Sequence, residues 1–307
     1  MSGGVDSSVS AFLLKEQGYE VIGVSLQLWD YSWVRPGHGQ CCSLPDIADA
    51  KKVASSLGVP FYVVNFEEDF EEDVVRNFAE EYTKGRTPNP CILCNERIKF
   101  HKLLTKALEL GADFLATGHY ARKMYSPEDG LWHLFRARDV QKDQSYFLFS
   151  VSQDRLARIL FPIGEMTKKE VRAVARRAML PVSEKRDSQE VCFIPDGGLK
   201  EFIGWEKGNR GGEIVTKEGK ILGTHRGYHL YTIGQRHSLS LSSPVPLYVL
   251  EIDPERQRII VGEEKDLYRR ELIAGGPRWI SGTPPDFSLG PLKAVARIRS
   301  RHEGAPC

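Results

Sequence analysis

The sequence predicts an α/β protein, in which a parallel sheet with helices on both faces is followed by two small, mainly β domains. Strand-like and helical patterns alternate through the first half of the chain, which is the rhythm of β-α-β units. From about Gly211 the pattern changes to short strands separated by glycine and proline turns, which is typical of small β domains. We therefore expect domains at residues 1–205, 206–268 and 269–307, the last one incomplete.

The elements of the first domain follow from the spacing of apolar residues and from turn residues. The first helix carries Val9, Phe12 and Leu13 on one face and ends at Gly18, and a second glycine, Gly58, closes the next helix. In chain order, the pattern then predicts a strand over 19–29, a helix over 45–57, a strand over 60–66, a helix over 67–82, a helix over 95–110 and a strand over 113–117.

The later elements are shorter. Thr167 and Glu170 have the spacing of a capping box and predict the start of a basic helix over 166–178. Short strands are expected at 212–216, 220–223, 247–252 and 258–261, with further ones leading to the basic stretch 293–301. Met1 opens directly on a loop motif and Cys307 ends within a strand-like pattern, so we expect both ends to be truncated.

Composition excludes several classes of protein. The net charge is +1, from 42 Lys and Arg against 41 Asp and Glu, so any nucleic-acid site must be a local patch. No apolar run is long enough to span a membrane, and no secretory signal opens the chain, which favours the cytoplasm and no membrane partner. Six cysteines are too few for a disulfide scaffold. The adjacent pair Cys41 and Cys42 and the C-x-x-C of Cys91 and Cys94 indicate redox, sulfur or metal chemistry.

The most informative segment is S-G-G-V-D-S-S at residues 2–8. Its two glycines allow a tight turn, and the helix that follows adds its positive end, so the segment can bind an anion. Ser7 and Ser8 can donate to phosphate oxygens, while Asp6 is expected to cap the helix or help hold Mg²⁺. The alternative is a plain Ser/Gly helix start. The string resembles the signature of PP-loop ATP pyrophosphatases, which cleave ATP between the α and β phosphates.

Three cysteines lie in informative surroundings. Cys91 and Cys94 follow a Pro-Asn-Pro turn just ahead of a predicted helix, whose dipole would stabilise a thiolate. A metal half-site and an iron–sulfur ligand set remain alternatives, although zinc would need a second pair of ligands. Cys192 follows Lys185 and Arg186, which favour an anion, but by itself it is more consistent with a buried core cysteine. The roles of Cys41, Cys42 and Cys307 stay open.

Six motifs occur in a diagnostic order. They are S-G-G-V-D-S-S at 2–8, T-P-N-P-C-x-x-C-N at 87–95, A-T-G-H-Y at 116–120, K-D-Q-S-Y-F-L at 142–148, D-S-Q-E-V-C-F-I-P at 187–195 and Y-T-I-G-Q-R at 231–236. Together they closely resemble the tRNA-specific 2-thiouridylase family, which thiolates the wobble uridine of tRNA. The resemblance runs from Met1 to about Arg301.

The resemblance implies a role for each matching residue. The residues implied to bind ATP are Ser2, Gly3, Gly4, Val5, Asp6, Ser7, Ser8, Leu26 and Gly118. Those implied to lie against the target base are Asn89, Pro90 and Cys91. Cys94 matches the nucleophile, and Cys192 matches the cysteine that carries a persulfide. The residues implied to contact tRNA are His119, Lys142, Asp143, Gln144, Arg299 and Ser300.

The implied reaction is adenylation of the uridine by ATP with Mg²⁺, followed by sulfur transfer from the persulfide. The implied partners are the anticodon loop of tRNA and a sulfur-donor protein, either a cysteine desulfurase or a relay. One departure matters. Many members carry Asp where this chain has Cys91, and an acid/base role at this position is therefore open.

Other functions remain as alternatives. They are an iron–sulfur-dependent PP-loop tRNA thiolase with cysteine ligands, a PP-loop amidotransferase or ligase, and a non-enzymatic tRNA-binding zinc module.

Two groups of side chains also have two interpretations each. Trp29, Tyr31 and Trp33 either stack on a base or pack in the protein. The basic side chains of the helix over 166–178 and of the stretch 293–301 either contact phosphates or face solvent, and the candidates are Lys168, Lys169, Arg172, Arg176, Arg177, Arg297, Arg299 and Arg301.

Overall fold

The computed structural model describes residues 1–29, 44–187, 191–194 and 211–307. Its helices are α1 Val5–Glu16, α2 Leu44–Leu57, α3 Glu67–Phe70, α4 Arg76–Thr83, α5 Pro90–Leu93, α6 Leu104–Glu109, α7 Gln153–Arg158 and α8 Lys168–Arg177, with π-helical segments at Glu71–Val75 and Cys94–Leu103. Its strands are β1 Gly23–Gln27, β2 Phe61–Asn65, β3 Leu115–Ala116, β4 Ala121–Ser126, β5 Leu131–Arg136, β6 Ile159–Leu160, β7 Gly212–Thr216, β8 Ile221–His225, β9 Tyr248–Asp253, β10 Arg258–Gly262, β11 Val295–Ala296 and β12 Ala305–Pro306. Single 3₁₀ turns lie at Ser145–Phe147, Tyr228–Leu230, Glu264–Leu267 and Phe287–Leu289.

The first part of the chain contains parallel strand pairs. β1 lies parallel to β2, with Gly23 opposite Phe61 and Gln27 opposite Asn65. β3 lies parallel to β6. Helix α2, which connects β1 to β2, packs against both strands, and α1 packs against α8. Parallel pairing of this kind requires crossover connections, and it confirms the predicted α/β class.

Local signals set the ends of several helices correctly. Helix α1 ends at Glu16, and Gly18 follows with φ +87°. Helix α2 ends at Leu57, and Gly58 has φ +63°. Both glycines take the left-handed conformation that ends a helix at little cost. Helix α8 begins after Thr167, which forms the predicted capping box with Glu170.

The helix near the C-x-x-C begins earlier than predicted. A helical run extends through α5, the π segment from Cys94 to Leu103 and α6. Asn89 caps this run by accepting from the Cys91 N–H at 3.2 Å, and Pro90 occupies the first helical position, where proline is favourable. The expectation that both cysteines precede the helix is therefore wrong, because they lie inside its first turns.

The later part of the chain forms a small β unit, as predicted. Its four-stranded sheet has the order β8-β7-β10-β9. β10 lies parallel to β7 and antiparallel to β9. Over residues 269–307 the strands β11 and β12 pair antiparallel over two residues each. Within the described ranges, no helix combines the length and the hydrophobicity that a bilayer span requires.

Candidate active site

The loop at residues 2–8 forms the start of α1. Gly3 has φ +70°, and a Cβ there would lie 2.1 Å from the backbone oxygen of Asp46, so only glycine fits. Among the described residues, no side chain caps the helix at Gly4. The first N–H groups of a helix have no intrahelical acceptor, so those of Val5, Asp6 and Ser7 are available to an anion.

The serine hydroxyls of this loop act mainly within it. The Ser7 hydroxyl lies 3.2 Å from that of Ser2, and it also donates to the Gly4 oxygen at 3.2 Å. Ser8 is fully buried and donates to the Gly4 oxygen at 2.8 Å. Ser2, Gly4 and Ser7 are partly exposed, so the open side of the loop is formed by these residues rather than by Ser8.

Of the two other residues implied to bind ATP, the structure places Gly118 against this loop and Leu26 in an apolar cluster. A Cβ on Gly118 would lie 2.6 Å from the Ser7 nitrogen and 2.7 Å from the Asp6 carbonyl carbon. The backbone after β3 therefore touches the loop directly, as expected for two parts of one nucleotide pocket. Leu26 lies in β1 with its side chain buried in an apolar cluster that also contains Cys94.

Asp6 does not cap α1, and that expectation is wrong. The carboxylate of Asp6 instead accepts from Lys168 Nζ at 2.7 and 2.8 Å and from the Tyr120 hydroxyl at 2.9 Å. Burial, together with the nearby Asp6 carboxylate, raises the pKa of Tyr120 far above its usual range, so the hydroxyl keeps its proton. The loop is thus fixed by side chains from two distant parts of the chain, Tyr120 and helix α8.

The two cysteines implied to be catalytic meet at one apolar cluster. Cys94 is 8% exposed and belongs to this cluster, and Cys192 packs against it and is half-buried. Phe193, next to Cys192, is inserted into the cluster with its ring 5.5 Å from Phe70 and 5.1 Å from Phe78, edge-on in both cases. The remaining members of the cluster are Leu26, Leu28, Phe66, Val74, Val75, Tyr82, Ile98 and Leu103.

The residues implied to touch the target base form the turn before Cys94. Asn89 and Cys91 are exposed and Pro90 is buried. Asn89 and Pro90 line a cavity of about 200 Å³ between this turn and the helical run formed by the Glu71–Val75 segment and α4. The other lining residues are Val74, Asn77, Phe78, Glu81, Pro88, Ile92 and Leu93.

The implied tRNA contacts near residue 142 differ in how they are held. Lys142 forms an ion pair with Asp187 at 2.7 Å. Asp143 is buried and accepts from the backbone nitrogens of Ala137 at 3.1 Å and Ser145 at 3.2 Å. It therefore organises the loop from within. Gln144 exchanges two hydrogen bonds with the backbone of Tyr120, at 2.8 and 2.9 Å.

His119 lies among aromatic side chains. Its ring packs 5.8 Å from Phe100 and 6.4 Å from Phe161, and its Nδ1 lies 2.9 Å from the Thr117 hydroxyl. Burial, with a smaller effect from the charge of Lys99, lowers the pKa of His119 well below its usual value. A contact of His119 with tRNA is therefore a hydrogen bond or a stacking contact rather than a charge interaction.

Several basic candidates are engaged within the protein. Arg297 pairs with Asp143 at 3.3 Å and donates to the Ser300 oxygen. Arg299 donates to the Ile233 oxygen. Arg176 pairs with Glu184 at the surface. The pairing of Arg297 with Asp143 and of Lys168 with Asp6, with both cations largely buried, favours an internal role for these two side chains over phosphate contacts.

The aromatic candidates are only partly described. The ring of Trp29 lies 6.4 Å from that of Phe193, which favours packing over stacking on a base. Tyr31, Trp33, Cys41 and Cys42 lie outside the described residues. Cys307 is exposed, and its Sγ lies 3.6 Å from the Ala294 oxygen.

The loop, the parallel strands around it and the β unit that follows define a PP-loop protein of the HUP nucleotide-binding class. The family model described as "tRNA methyl transferase HUP domain" matches residues 1–196, and the one described as "tRNA methyl transferase PRC-barrel domain" matches residues 200–263. The tRNA-specific 2-thiouridylase MnmA of Geobacter metallireducens is 52% identical over 313 residues, which cover 100% of this chain and 84% of that protein. That of Acidobacterium capsulatum is 47% identical, over 99% of this chain and 84% of the relative. The chain belongs to the tRNA-specific 2-thiouridylase family.

Solved structures are less similar. An NMN synthetase from Francisella tularensis is 16% identical with a TM-score of 0.36, over 60% of this chain and 62% of that chain. The U34-tRNA thiolase NcsA from Methanococcus maripaludis, solved with its 4Fe-4S cluster, is 22% identical with a TM-score of 0.35, over 59% of this chain and 55% of that chain. Similarity this low supports no statement about the present site.

Sequence reasoning did not single out three residues that shape the site. Tyr120 follows His119 in the motif at 116–120, where only Gly118 and His119 were given roles. Asp187 is the first residue of the motif that contains Cys192. Phe193 follows Cys192 directly. A large aromatic residue beside a functional cysteine is a usable signal, because it can anchor an otherwise irregular segment by burial.

Proposed function

We propose that this protein is a tRNA-uridine 2-sulfurtransferase, which thiolates the wobble uridine at position 34 of tRNA with ATP and a cysteine persulfide. The observation that carries the proposal is the meeting of Cys94 and Cys192 at one apolar cluster, in a chain whose loop at residues 2–8 is built to bind an anion. The relatives named 2-thiouridylases support the same substrate. The family description refers to methyl transfer, but two converging thiols favour sulfur chemistry.

The first step activates the base. The uridine C2 oxygen attacks the α-phosphate of ATP, the bond to the β-phosphate breaks, and pyrophosphate leaves. The unpaired N–H groups of Val5, Asp6 and Ser7 stabilise the phosphate charge, which is the type of fixed-donor stabilisation that lowers barriers most. The close approach of Gly118 to this loop supports a shared nucleotide pocket.

Mg²⁺ accompanies the nucleotide in this proposal. Mg²⁺ in nucleotide enzymes is usually held by one or two carboxylates together with the substrate phosphates. In the part of the chain that the structure describes, no group of three or more His, Cys, Asp or Glu side chains forms a metal site. Asp6 is the carboxylate that the loop itself supplies, so the phosphates and Asp6 are the ligands we propose.

The second step transfers sulfur. The terminal sulfur of a persulfide on Cys192 attacks C2, AMP leaves, and the base is joined to Cys192 through two sulfur atoms. The Cys94 thiolate then attacks the Sγ of Cys192, the sulfur–sulfur bond breaks, and 2-thiouridine leaves with a Cys94–Cys192 disulfide formed. Alternatively, Cys94 attacks the persulfide first and releases hydrogen sulfide, which adds to C2. A reductant restores both thiols.

Recognition of the base and the tRNA is also part of the proposal. Asn89, Pro90 and Cys91 lie against the flipped uridine, and the small cavity beside Asn89 and Pro90 supports this. The remaining tRNA contacts are those implied for His119, Lys142 to Gln144, Arg299 and Ser300. A cysteine desulfurase or a relay protein supplies the persulfide, and the cytoplasm is the expected location. The iron–sulfur, amidotransferase and zinc-module alternatives are not favoured.

The test is mass spectrometry of nucleosides from unmodified tRNA after incubation with the protein, ATP, Mg²⁺ and sulfide or a persulfide donor. We expect 2-thiouridine with the native chain. Cys192→Ser and Cys94→Ser should both lose the persulfide-dependent product while binding ATP normally. Cys307→Ser, at an exposed cysteine, is the matched control and should keep full activity. Full activity of Cys192→Ser with a persulfide donor would remove the transfer step, and an absence of 2-thiouridine from the native protein would refute the function.

A further inference from the structure

The segment of residues 183–187, which we call the anchor segment, lies five residues or more before Cys192 and is fastened to helix α8. Arg172 holds it with three hydrogen bonds. These run to the Ser183 oxygen at 3.1 Å, to the Lys185 oxygen at 3.0 Å and to the Asp187 carboxylate at 2.9 Å. Since two of the three acceptors are backbone oxygens, Arg172 fixes the path of the chain as well as one side chain.

Asp187 connects the anchor segment to two functional loops at once. Lys142, from the loop implied to contact tRNA, lies 2.7 Å from its carboxylate. Lys168 lies 2.8 Å from the same carboxylate and also binds Asp6 in the ATP loop. Lys168 is only 13% exposed. Burial opposes the charge of Asp187, but the hydrogen bonds from Lys142 and Lys168 outweigh it and lower its pKa to about 2.

A second connection joins the anchor segment to helix α2, which contacts the ATP loop. Lys185 binds Asp46 at 2.6 Å and Asp49 at 2.8 Å, both at the start of helix α2. The backbone oxygen of Asp46 is the atom that leaves no room for a Cβ on Gly3. The anchor segment therefore contacts the surroundings of the ATP loop through Lys168 and Asp6, and again through Lys185 and Asp46.

We propose that Asp187 is a positioning residue through which occupancy of the ATP loop sets the position of Cys192. ATP brings several negative charges to the N-terminus of α1, where Lys168 already forms ion pairs with both Asp6 and Asp187. The phosphates compete with Asp6 and Asp187 for this cation, so the hold on the anchor segment differs between the empty and the occupied loop. The inference rests on the proposed function for the role of Cys192, although its test does not require turnover.

The test compares Asp187→Asn with Glu184→Gln. Both variants remove one acid from the anchor segment, but Glu184 is a surface residue whose ion pair is with the exposed Arg176. The readout is the rate at which iodoacetamide modifies Cys192, followed on the Cys192 peptide by mass spectrometry, with and without ATP and Mg²⁺. We expect ATP to change this rate by about fivefold or more in the native chain and in Glu184→Gln. In Asp187→Asn the change should fall below about twofold.

A second readout separates positioning from simple loss of structure. If Asp187 positions the thiol, Asp187→Asn should lower kcat for thiolation about 10- to 100-fold, while the KM for ATP changes little. Asp187→Glu keeps the charge, and it should retain most of the response to ATP. Thermal unfolding verifies that each variant is folded.

The outcomes are distinct. A native response to ATP in Asp187→Asn would overturn the inference, because the response would then come from direct shielding by the nucleotide. An equal loss of response in Asp187→Glu and Asp187→Asn would also overturn it. If the native protein makes no 2-thiouridine but its Cys192 still responds to ATP through Asp187, the proposed function fails and the coupling stands.

Discussion

The two cysteines of the site are held by different kinds of interaction. Cys94 lies inside a continuous helical run and is surrounded by apolar side chains of the central cluster. Cys192 lies in a turn, and of the described residues 191–194 around it Phe193 is the buried one. The chain before this segment is fastened by ion pairs of Asp187 and Lys185. Packing inside the cluster therefore holds Cys94, whereas Cys192 packs at the edge of the same cluster and the chain before it is held by charge.

This difference fits two different chemical tasks. A cysteine that carries a persulfide must first meet a donor protein at the surface and then the activated base, so it needs a segment with more than one position. A cysteine that only attacks a neighbouring sulfur does best at a fixed position, because orientation lowers the barrier. Apolar packing is insensitive to salt and pH, whereas ion pairs respond to both. The ion pairs that precede Cys192 can therefore respond to the charge of ATP or tRNA.

The largest expected effect is a loss of stability when the apolar packing around Cys94 is disrupted. Ile98 is fully buried one turn after Cys94 and belongs to the same cluster. Ile98→Ala should lower the free energy of unfolding by about 2–5 kcal/mol, because it removes buried methyl groups and leaves a cavity. Urea unfolding measures this loss.

The matched control uses the same change at the surface. Ile273 is 97% exposed, and Ile273→Ala should change stability by less than about 0.5 kcal/mol. If both variants lost the same stability, the view that packing holds the Cys94 region would be wrong.

The sequence predicted those parts of the fold that short-range signals determine. Thr167 and Glu170, three positions apart, form a capping box, and Gly18 and Gly58 each end a helix. Because these signals involve residues close in sequence, the helix ends could be predicted from them. The hairpin of β4 and β5 was missed, although Asp129 and Gly130 are a turn signal and Gly130 has φ +71°. The reason lies in its second strand, L-W-H-L-F-R, which does not alternate, since its first four residues are half-buried on both faces and Phe135 and Arg136 are exposed.

The site was predictable in its motifs but not in its contacts. The loop at residues 2–8 is recognisable because its glycines and serines are adjacent in sequence. The pairing of Asp6 with Lys168 joins residues 162 positions apart, and no spacing rule connects them. For the same reason the basic residues of helix α8 looked like a nucleic-acid surface, whereas Lys168 and Arg172 face carboxylates inside the protein.

A second prediction concerns Gly118, whose backbone packs against the ATP loop. Gly118→Ala would bring a Cβ within 2.6 Å of the Ser7 nitrogen, so the backbone of the loop must shift. We expect the affinity for ATP with Mg²⁺ to fall about 10- to 100-fold, as measured by calorimetry. In Gly275→Ala the new methyl group meets no atom of the described chain within 4 Å, and this variant should bind ATP normally. An unchanged affinity in Gly118→Ala would place the nucleotide elsewhere.

The smallest expected effect separates charge from packing by pH. Asp187 has a pKa of about 2 in the folded protein against an ordinary value of 3.8, so its ion pairs stabilise the fold fully only above about pH 5. This contribution decreases as the pH falls through about 2. With allowance for partial exposure, it amounts to about 1–2 kcal/mol. The stability difference between the native chain and Asp187→Asn should therefore shrink from pH 5 to pH 2.5 in urea unfolding, whereas the difference for Ile98→Ala should stay constant. If both differences shrank equally, the two cysteines would not be held by different forces.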